Sequence, residues 1–114
     1  MGFTVKTFNS EGLFGYKQIT TFFEDFSIAD NFGISAIKDT YNRAFKNWKD
    51  NVKYVTELCM VLNWKSWQFA PIEQGGEGND AYCDLYIDLY YKLRDWCFDN
   101  LKGDDLTYFI RTTD

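Results

Sequence analysis

Hydrophobic residues recur at helical spacing over most of the chain. The longest series advances in steps of 4, 3, 4, 3, 4 and 3 residues and consists of Tyr41, Phe45, Trp48, Val52, Val55, Cys59 and Leu62. An unbroken series of this kind is typical of a helix with a heptad-like seam. It predicts one long helix over residues 35–69, or two nearly collinear helices with a break at Asp50-Asn51.

A second long helix is predicted over residues 80–102. It follows a loop at residues 70–79 that contains Pro71 and three glycines and ends at Asn79, a favourable N-cap residue. Gly103 is typical of a helix end. Six residues at helical spacing predict its core face: Tyr82, Leu85, Tyr86, Leu89, Leu93 and Trp96. Two long helices joined by a loop are expected to pack antiparallel.

Shorter elements are predicted at both ends of the chain. Residues 1–19 favour an extended arm or a short β-hairpin, because apolar and polar residues alternate there before a turn signal. Thr21 and Glu24 match a capping box, which predicts a short helix that Gly33 ends. Asp104 or Asp105 is expected to cap a last short helix. The whole pattern predicts a single all-α domain over residues 1–114.

Charge is divided unevenly between the two long helical stretches. The chain has a net charge of −5, yet residues 35–69 have six basic and three acidic residues, whereas residues 70–114 have four basic and ten acidic ones. Five of the acids lie within about a third of the circumference of the second helix. We call them the acidic stripe: Asp80, Asp84, Asp88, Asp95 and Asp99.

An apolar flank borders the acidic stripe and consists of Ile87, Tyr91 and Phe98. One alternative is that a shorter helix covers this flank. The other is that it forms an aromatic patch beside an acidic rim, suited to a basic partner. Aromatic residues make up 20% of the chain, more than one small core is expected to hide.

The acidic stripe itself permits two interpretations. It is either an ordinary solvated face, partly neutralised by Lys46, Lys49 and Lys53, or a mimic of nucleic-acid phosphates. Carboxylates at i, i+4 and i+8 stand about 6 Å apart along a helix, a spacing comparable to that of consecutive DNA phosphates. The three lysines are themselves expected to form a solvated basic face, since a nucleic-acid site needs more bases and a favourable overall field.

The aromatic residues near the end of the first long helix also leave two alternatives. Trp64, Lys65 and Trp67 either form a cation–π or interface anchor, or mark a wider core that receives another element. The second interpretation is favoured, because Trp64 and Trp67 lie off the main hydrophobic seam.

The residues needed for common catalytic chemistry are missing from the sequence. The chain has no histidine, which removes the most frequent general base and metal ligand. Its three cysteines, Cys59, Cys83 and Cys97, lack metal-binding spacing and are expected to be buried, reduced thiols. We therefore expect no enzymatic activity and no cofactor or metal. No apolar stretch is long enough for a membrane span, and a cytoplasmic location is expected.

Three segments give the chain a resemblance to a class of known proteins. They are residues 21–30 (TFFEDFSIAD), 56–65 (TELCMVLNWK) and 100–106 (NLKGDDL). With them, most of residues 20–114 resembles small uncharacterised helical proteins of Gram-positive phages and conjugative elements. The resemblance implies a mobile-element inhibitor of the anti-restriction or anti-CRISPR type.

The sequence thus predicts a non-catalytic, acidic protein-binding module. Its partner is expected to be a protein with a basic surface, such as a host nucleic-acid-processing enzyme, with no direct contact to nucleic acid or membrane. The predicted contact residues are Asp84, Asp88, Asp95 and Asp99, with Ile87, Tyr91 and Phe98 as apolar anchors. The alternative is a structural, self-associating protein whose exposed aromatic residues form a homodimer.

Overall fold

The structure is a computed structural model that describes residues 13–114, with side chains from Phe22 onward. This part of the chain contains five α-helices, one 3₁₀ helix and no strand. The α-helices are α1 (Leu13–Asp30), α2 (Ile34–Trp48), α3 (Val52–Gln68), α4 (Asp80–Asn100) and α5 (Gly103–Thr113), and the 3₁₀ helix is Ile72–Gln74. The prediction of an all-α fold is confirmed.

The first helix begins earlier than the capping box predicted. Thr21 and Glu24 lie inside α1, which starts at Leu13, so they do not cap it. Residues 13–19 are accordingly helical and do not form the second strand of a hairpin, while residues 1–12 of the predicted arm lie outside the described part. Threonine and glutamate three residues apart also occur on exposed helix faces, and the motif alone therefore does not fix a start. Gly33, with φ of 106°, follows the end of α1 as predicted.

The predicted break at Asp50-Asn51 is confirmed. Trp48 ends α2 and Val52 begins α3, and the Asn51 side chain accepts hydrogen bonds from the backbone N–H groups of Lys53 and Tyr54 at 3.1 and 3.2 Å. Asn51 itself is extended, with φ of −112° and ψ of 107°. One extended residue is enough to change the direction of the chain between two helices.

The expectation that these two helices are collinear is wrong. Tyr86, early in α4, donates a hydrogen bond to Asp30, which ends α1 just before α2 begins. Phe45, late in α2, packs against Trp96, late in α4. Therefore α2 runs in the same direction as α4. In contrast, α3 runs opposite to α4. Cys83 near the start of α4 donates to the carbonyl of Ser66 near the end of α3, and Cys97 late in α4 lies close enough to Cys59 in the first half of α3 to raise its pKa. The seam across the break thus folds back on itself instead of forming one rod.

Helix α3 lies at the centre of the bundle and packs against α1, α2, α4 and α5. Its core includes five completely buried residues: Val55, Leu58, Cys59, Val61 and Leu62. The predicted core face of α4 is confirmed, since Leu85, Tyr86, Leu89 and Leu93 are buried and Tyr82 and Trp96 are half-buried. The predicted antiparallel pairing therefore holds for α3 and α4.

Backbone hydrogen bonds hold together the two ends of the loop between α3 and α4. The N–H groups of Glu77 and Gly78 donate to the carbonyls of Gln68 and Ala70 at 2.8 and 2.9 Å. Asn79 caps α4 as predicted, accepting from the Tyr82 N–H at 3.1 Å. At its other end α4 stops at Asn100, and α5 starts at Gly103 itself, with both Asp104 and Asp105 in its first turn. The predictions that Gly103 closes α4 and that Asp104 or Asp105 caps α5 are therefore wrong, because Gly103 is the first residue of α5 and Lys102 is its N-cap.

Candidate functional site: the outer face of α4

The acidic stripe is open to solvent along the whole of α4. Asp84, Asp88, Asp95 and Asp99 are exposed, as is Asp80. Within the described residues none of them forms an ion pair with Lys46, Lys49 or Lys53. Direct pairing with these lysines, which the sequence allowed, is therefore not seen for the five carboxylates that share this helix surface.

The apolar flank is also open. Ile87, Tyr91 and Phe98 are 36%, 51% and 44% exposed. Of the shorter helices, α5 reaches it through Phe109, whose ring meets that of Phe98 edge-on at 5.5 Å between centroids. This contact holds Phe98 in place but leaves much of its ring exposed. The flank and the stripe consequently form one continuous surface of apolar and acidic groups.

Arg94 borders the apolar flank and is held by aromatic rings. Its guanidinium carbon lies 5.9 Å from the centre of the Tyr91 ring and 5.3 Å from that of Phe98. Cation–π contacts of this kind favour the positions that the two rings adopt. Because Arg94 makes no ion pair with the acidic stripe among the described residues, it leaves the neighbouring carboxylates without a partner.

An apolar groove lies on the Ile87 side of the acidic stripe. It has a volume of about 270 Å³, and its walls include Trp67, Pro71, Cys83, Ile87 and Tyr91. Burial raises the pKa of the Cys83 thiol, and the carboxylates of Asp84 and Asp80 raise it further. The acids thus impose a negative potential on the groove wall. Of the groove residues, the sequence analysis named Ile87 and Tyr91 as apolar anchors, Cys83 as a buried thiol and Trp67 as either an interface anchor or part of a wider core.

An aromatic groove lies on the opposite side of the acidic stripe, between α2 and α4. It has a volume of about 580 Å³ and is lined by Tyr41, Asn42, Phe45, Lys92, Asp95, Trp96 and Asp99. The stripe is therefore a ridge with a groove along each border. Sequence reasoning missed this second groove, because its two walls come from different helices. Only a correct pairing of α2 with α4 would have revealed it.

Lys65 is a buried structural residue and not part of a binding surface. Its side chain is fully buried, and Nζ lies 2.6 Å from Oδ2 of Asp30. It also donates to Gln68 Oε1 at 2.8 Å and to Ser27 Oγ at 3.3 Å. The three donors of the ammonium group thus have three partners. This cluster fastens α1 to α3, and Tyr86 joins it to α4 through a 2.6 Å hydrogen bond to Asp30.

Trp64, Lys65 and Trp67 do not all follow the same alternative, since two of them belong to the core and one to a surface groove. Trp64 packs on Phe23 of α1 at 4.9 Å between ring centroids, which confirms that the core widens there to receive another helix. Lys65 does lie over a ring, 4.8 Å from the centre of Phe23, but inside the molecule. Trp67 is 49% exposed and belongs to the wall of the apolar groove.

Glu57 is a buried carboxyl group away from the α4 face. It is fully buried and has no hydrogen-bond partner among the described residues. Burial raises the pKa of Glu57 to about 9, an effect that Lys53 partly opposes. A carboxyl group in this environment holds its proton at neutral pH. It therefore adds no charge to the α4 face.

The remaining reactive groups are buried thiols. Cys59, Cys83 and Cys97 are all buried and free, as predicted, and burial raises the pKa of each. The part of the chain that the structure describes brings together no three acidic or thiol side chains that could hold a metal ion. Nor is any of its helices long and apolar enough to cross a membrane.

No protein-family model, curated protein or solved structure matches this chain.

Proposed function

We propose that this protein is a non-catalytic binding module whose α4 outer face receives a basic surface of another protein. The observation that supports this most is the juxtaposition of unpaired carboxylates with exposed apolar side chains on one helix. Aromatic residues supply large contact areas at protein interfaces, and charge complementarity steers and orients the partner. The contact residues of the proposal are Asp84, Asp88, Asp95 and Asp99 with Ile87, Tyr91 and Phe98.

The partner class in this proposal is a nucleic-acid-processing enzyme, such as a CRISPR effector, that the protein inhibits. Within the acidic stripe, carboxylates four residues apart, such as those of Asp84 and Asp88 or of Asp95 and Asp99, are about 6 Å apart along the helix axis. Their exposure and lack of ion pairs make them available to the lysines and arginines that line a DNA-binding cleft. Binding there would exclude the nucleic acid by occupying its site, with no chemical step.

The test uses a variant in which Asp84, Asp88, Asp95 and Asp99 are changed to Asn. Affinity capture from the native host, with identification by mass spectrometry, provides candidate partners for the wild-type chain. Each candidate is then purified and titrated against both chains. The wild type should bind with an affinity that falls as salt rises, and the variant should lose most of that binding.

A matched control separates the α4 face from net charge. Four exposed acids elsewhere, Glu24, Asp39, Glu73 and Asp114, are changed to their amides in a second variant, which alters the net charge by the same amount. This control should bind like the wild type. If the α4 variant still binds fully, or if both variants lose affinity equally, the α4 face is not the recognition surface.

A second candidate function is self-association through the corner between α1 and α2. Ile28, Phe32 and Ile34 are 60%, 76% and 40% exposed there, and Asp39 and Arg43 line the adjoining groove. A two-fold contact places each patch against its own copy, so acids of one copy can meet bases of the other. The apolar flank of α4 suits a homodimer less well, because such a contact would bring two acidic stripes together.

Sedimentation equilibrium tests this second function. If the corner forms a dimer, changing Ile28 and Phe32 to Ser should give a folded monomer, whereas changing Ile72, which is 74% exposed on another surface, should leave the dimer intact. A wild-type chain that is monomeric at all concentrations would eliminate self-association.

A further inference from the structure

The aromatic groove between α2 and α4 combines a floor of rings with a wall of carboxylates. On the floor, the rings of Tyr41 and Phe45 are nearly parallel, with centroids 6.1 Å apart and planes at 13°. The ring of Phe45 then meets Trp96 edge-on at 5.1 Å. Phe45 and Trp96 are only half-buried. Their exposed parts therefore present aromatic surface to whatever enters the groove.

The floor already receives a positive charge from within the chain. Lys92 Nζ lies 5.6 Å from the centre of the Tyr41 ring, a cation–π distance. Lys92 forms no ion pair with Asp95 among the described residues, although the two side chains are three positions apart on one helix. The cation thus lies over the ring at one end of the groove, and the carboxylates on the wall remain unpaired.

The wall carries a net negative charge. Asp95 and Asp99 lie one helical turn apart and both line the groove, against the single positive charge of Lys92. Neither carboxylate has an ion-pair partner in the described part of the chain. A ligand that complements this groove therefore has a positive charge, a flat apolar face for the rings and several hydrogen-bond donors for the carboxylates.

We propose that the aromatic groove is a receptor for an arginine side chain of the partner protein. A guanidinium group is planar, stacks on aromatic rings and donates to carboxylates in a fixed fork, whereas an ammonium group is a compact and strongly hydrated charge. An arginine side chain can therefore stack on the rings of Trp96 and Phe45 and at the same time donate hydrogen bonds to the two carboxylates. A lysine side chain complements only their negative charge. This assignment rests on the proposed function, because it names the residue type that the α4 face recognises.

The experiment titrates the ¹⁵N-labelled protein with three blocked tripeptides, Gly-Arg-Gly, Gly-Lys-Gly and Gly-citrulline-Gly, and follows the indole N–H signal of Trp96. That signal is assigned with the Trp96→Phe variant. We expect a saturable shift with the arginine peptide, about tenfold weaker binding of the lysine peptide and no binding of the citrulline peptide, which keeps the shape without the charge.

Two double variants locate the effect on α4. The double variant Asp95→Asn with Asp99→Asn should bind the arginine peptide about tenfold more weakly or worse, because both charge-assisted hydrogen bonds lose their negative charge. Glu73→Gln with Asp114→Asn is the matched control, since it removes two exposed acids that lie outside the groove and outside the proposed contact surface. The control should retain the Trp96 shift, and the amide spectrum of each variant should match that of the wild type away from the substituted residues if the fold is unchanged.

Three results would overturn the arginine assignment: no saturable Trp96 shift, equal binding of the lysine peptide, or equal loss in both double variants. They would not decide the proposed function, which is tested with the whole partner and all four aspartates. If a partner loses affinity through Asp84 and Asp88 but not through Asp95 and Asp99, the α4 face binds without an arginine receptor.

Discussion

Glu57 offers a direct test of the core, because its carboxyl group is fully buried without a described hydrogen-bond partner. We expect the Glu57→Gln variant to be more stable than the wild type at pH 8 and about equally stable at pH 5. Glutamine has the same shape as the protonated acid but cannot lose a proton. The difference between the two proteins therefore isolates the cost of ionising this one group.

The sign and size of this pH-dependent difference in the free energy of unfolding follow from the pKa of Glu57. Burial raises the pKa of Glu57 from 4.5 to about 9, so between these two values the folded state keeps a proton that the unfolded chain has released. The free energy of unfolding then falls as pH rises, by about 1.4 kcal/mol per unit at most. Between pH 5 and pH 8 the wild type should lose about 2 to 4 kcal/mol relative to the variant, the lower value allowing for relaxation around the charge.

Urea denaturation followed by tryptophan fluorescence at pH 5, 6, 7 and 8 measures this difference. Glu73→Gln is the control, because Glu73 is exposed and its neutralisation should give a nearly flat difference across the same range. Titration of all other groups is common to the proteins and cancels. If the Glu57→Gln difference is flat within about 0.5 kcal/mol from pH 5 to pH 8, Glu57 is not a buried neutral acid and the description of the α3 core is wrong.

Three further predictions concern the framework that positions α4. Lys65→Met should lower the free energy of unfolding by about 3 to 5 kcal/mol in urea titrations, because it leaves Asp30 without its buried ion-pair partner; a loss below about 1 kcal/mol would mean that the pair is effectively solvated. Asn51→Ala should cost about 1 kcal/mol in the same assay through loss of the α3 cap. Gly76→Ala should lower the thermal midpoint markedly, since a Cβ there would overlap the Ala70 carbonyl; an unchanged midpoint would show that the loop can relax.

The sequence predicted α4 well because all of its signals are local. An N-cap at Asn79, a clean apolar face and a polar opposite face lie within 22 consecutive residues, those from Asn79 to Asn100. The exposure of Asp84, Asp88 and the other stripe residues follows from the same periodicity, since residues opposite a core face meet solvent in a surface helix. No information about other helices was needed to place them.

The arrangement of α2 and α3 was not predictable from the same kind of pattern. The step of four residues from Trp48 to Val52 preserves the heptad spacing, although the chain reverses at Asn51. Hydrophobic spacing reports which side of each helix is buried, not whether consecutive helices continue or fold back. The cap at Asn51 was the available signal, because an N-cap marks a new helix start.

The parts of the candidate site that the sequence missed are those that combine distant residues. Trp67 and Ile87 both line the apolar groove, and Phe45 packs against Trp96 in the aromatic groove. Each pair depends on helix packing that a single periodic pattern does not specify. Burial of Lys65 was missed for the same reason, since its partner Asp30 is on another helix and lysine is rarely buried without one.

Three cations of the described residues, Lys65, Lys92 and Arg94, form no ion pair with the acidic stripe of α4. Lys65 forms an ion pair with Asp30 inside the bundle. Lys92 and Arg94, the two basic residues of α4, lie over aromatic rings. Acids four positions apart on one helix repel each other by about 0.2 to 0.5 kcal/mol per pair, so the free protein bears a small cost along the acidic stripe. A basic partner removes that cost when it binds. The same arrangement that slightly destabilises the isolated helix therefore favours a complex with a cationic surface.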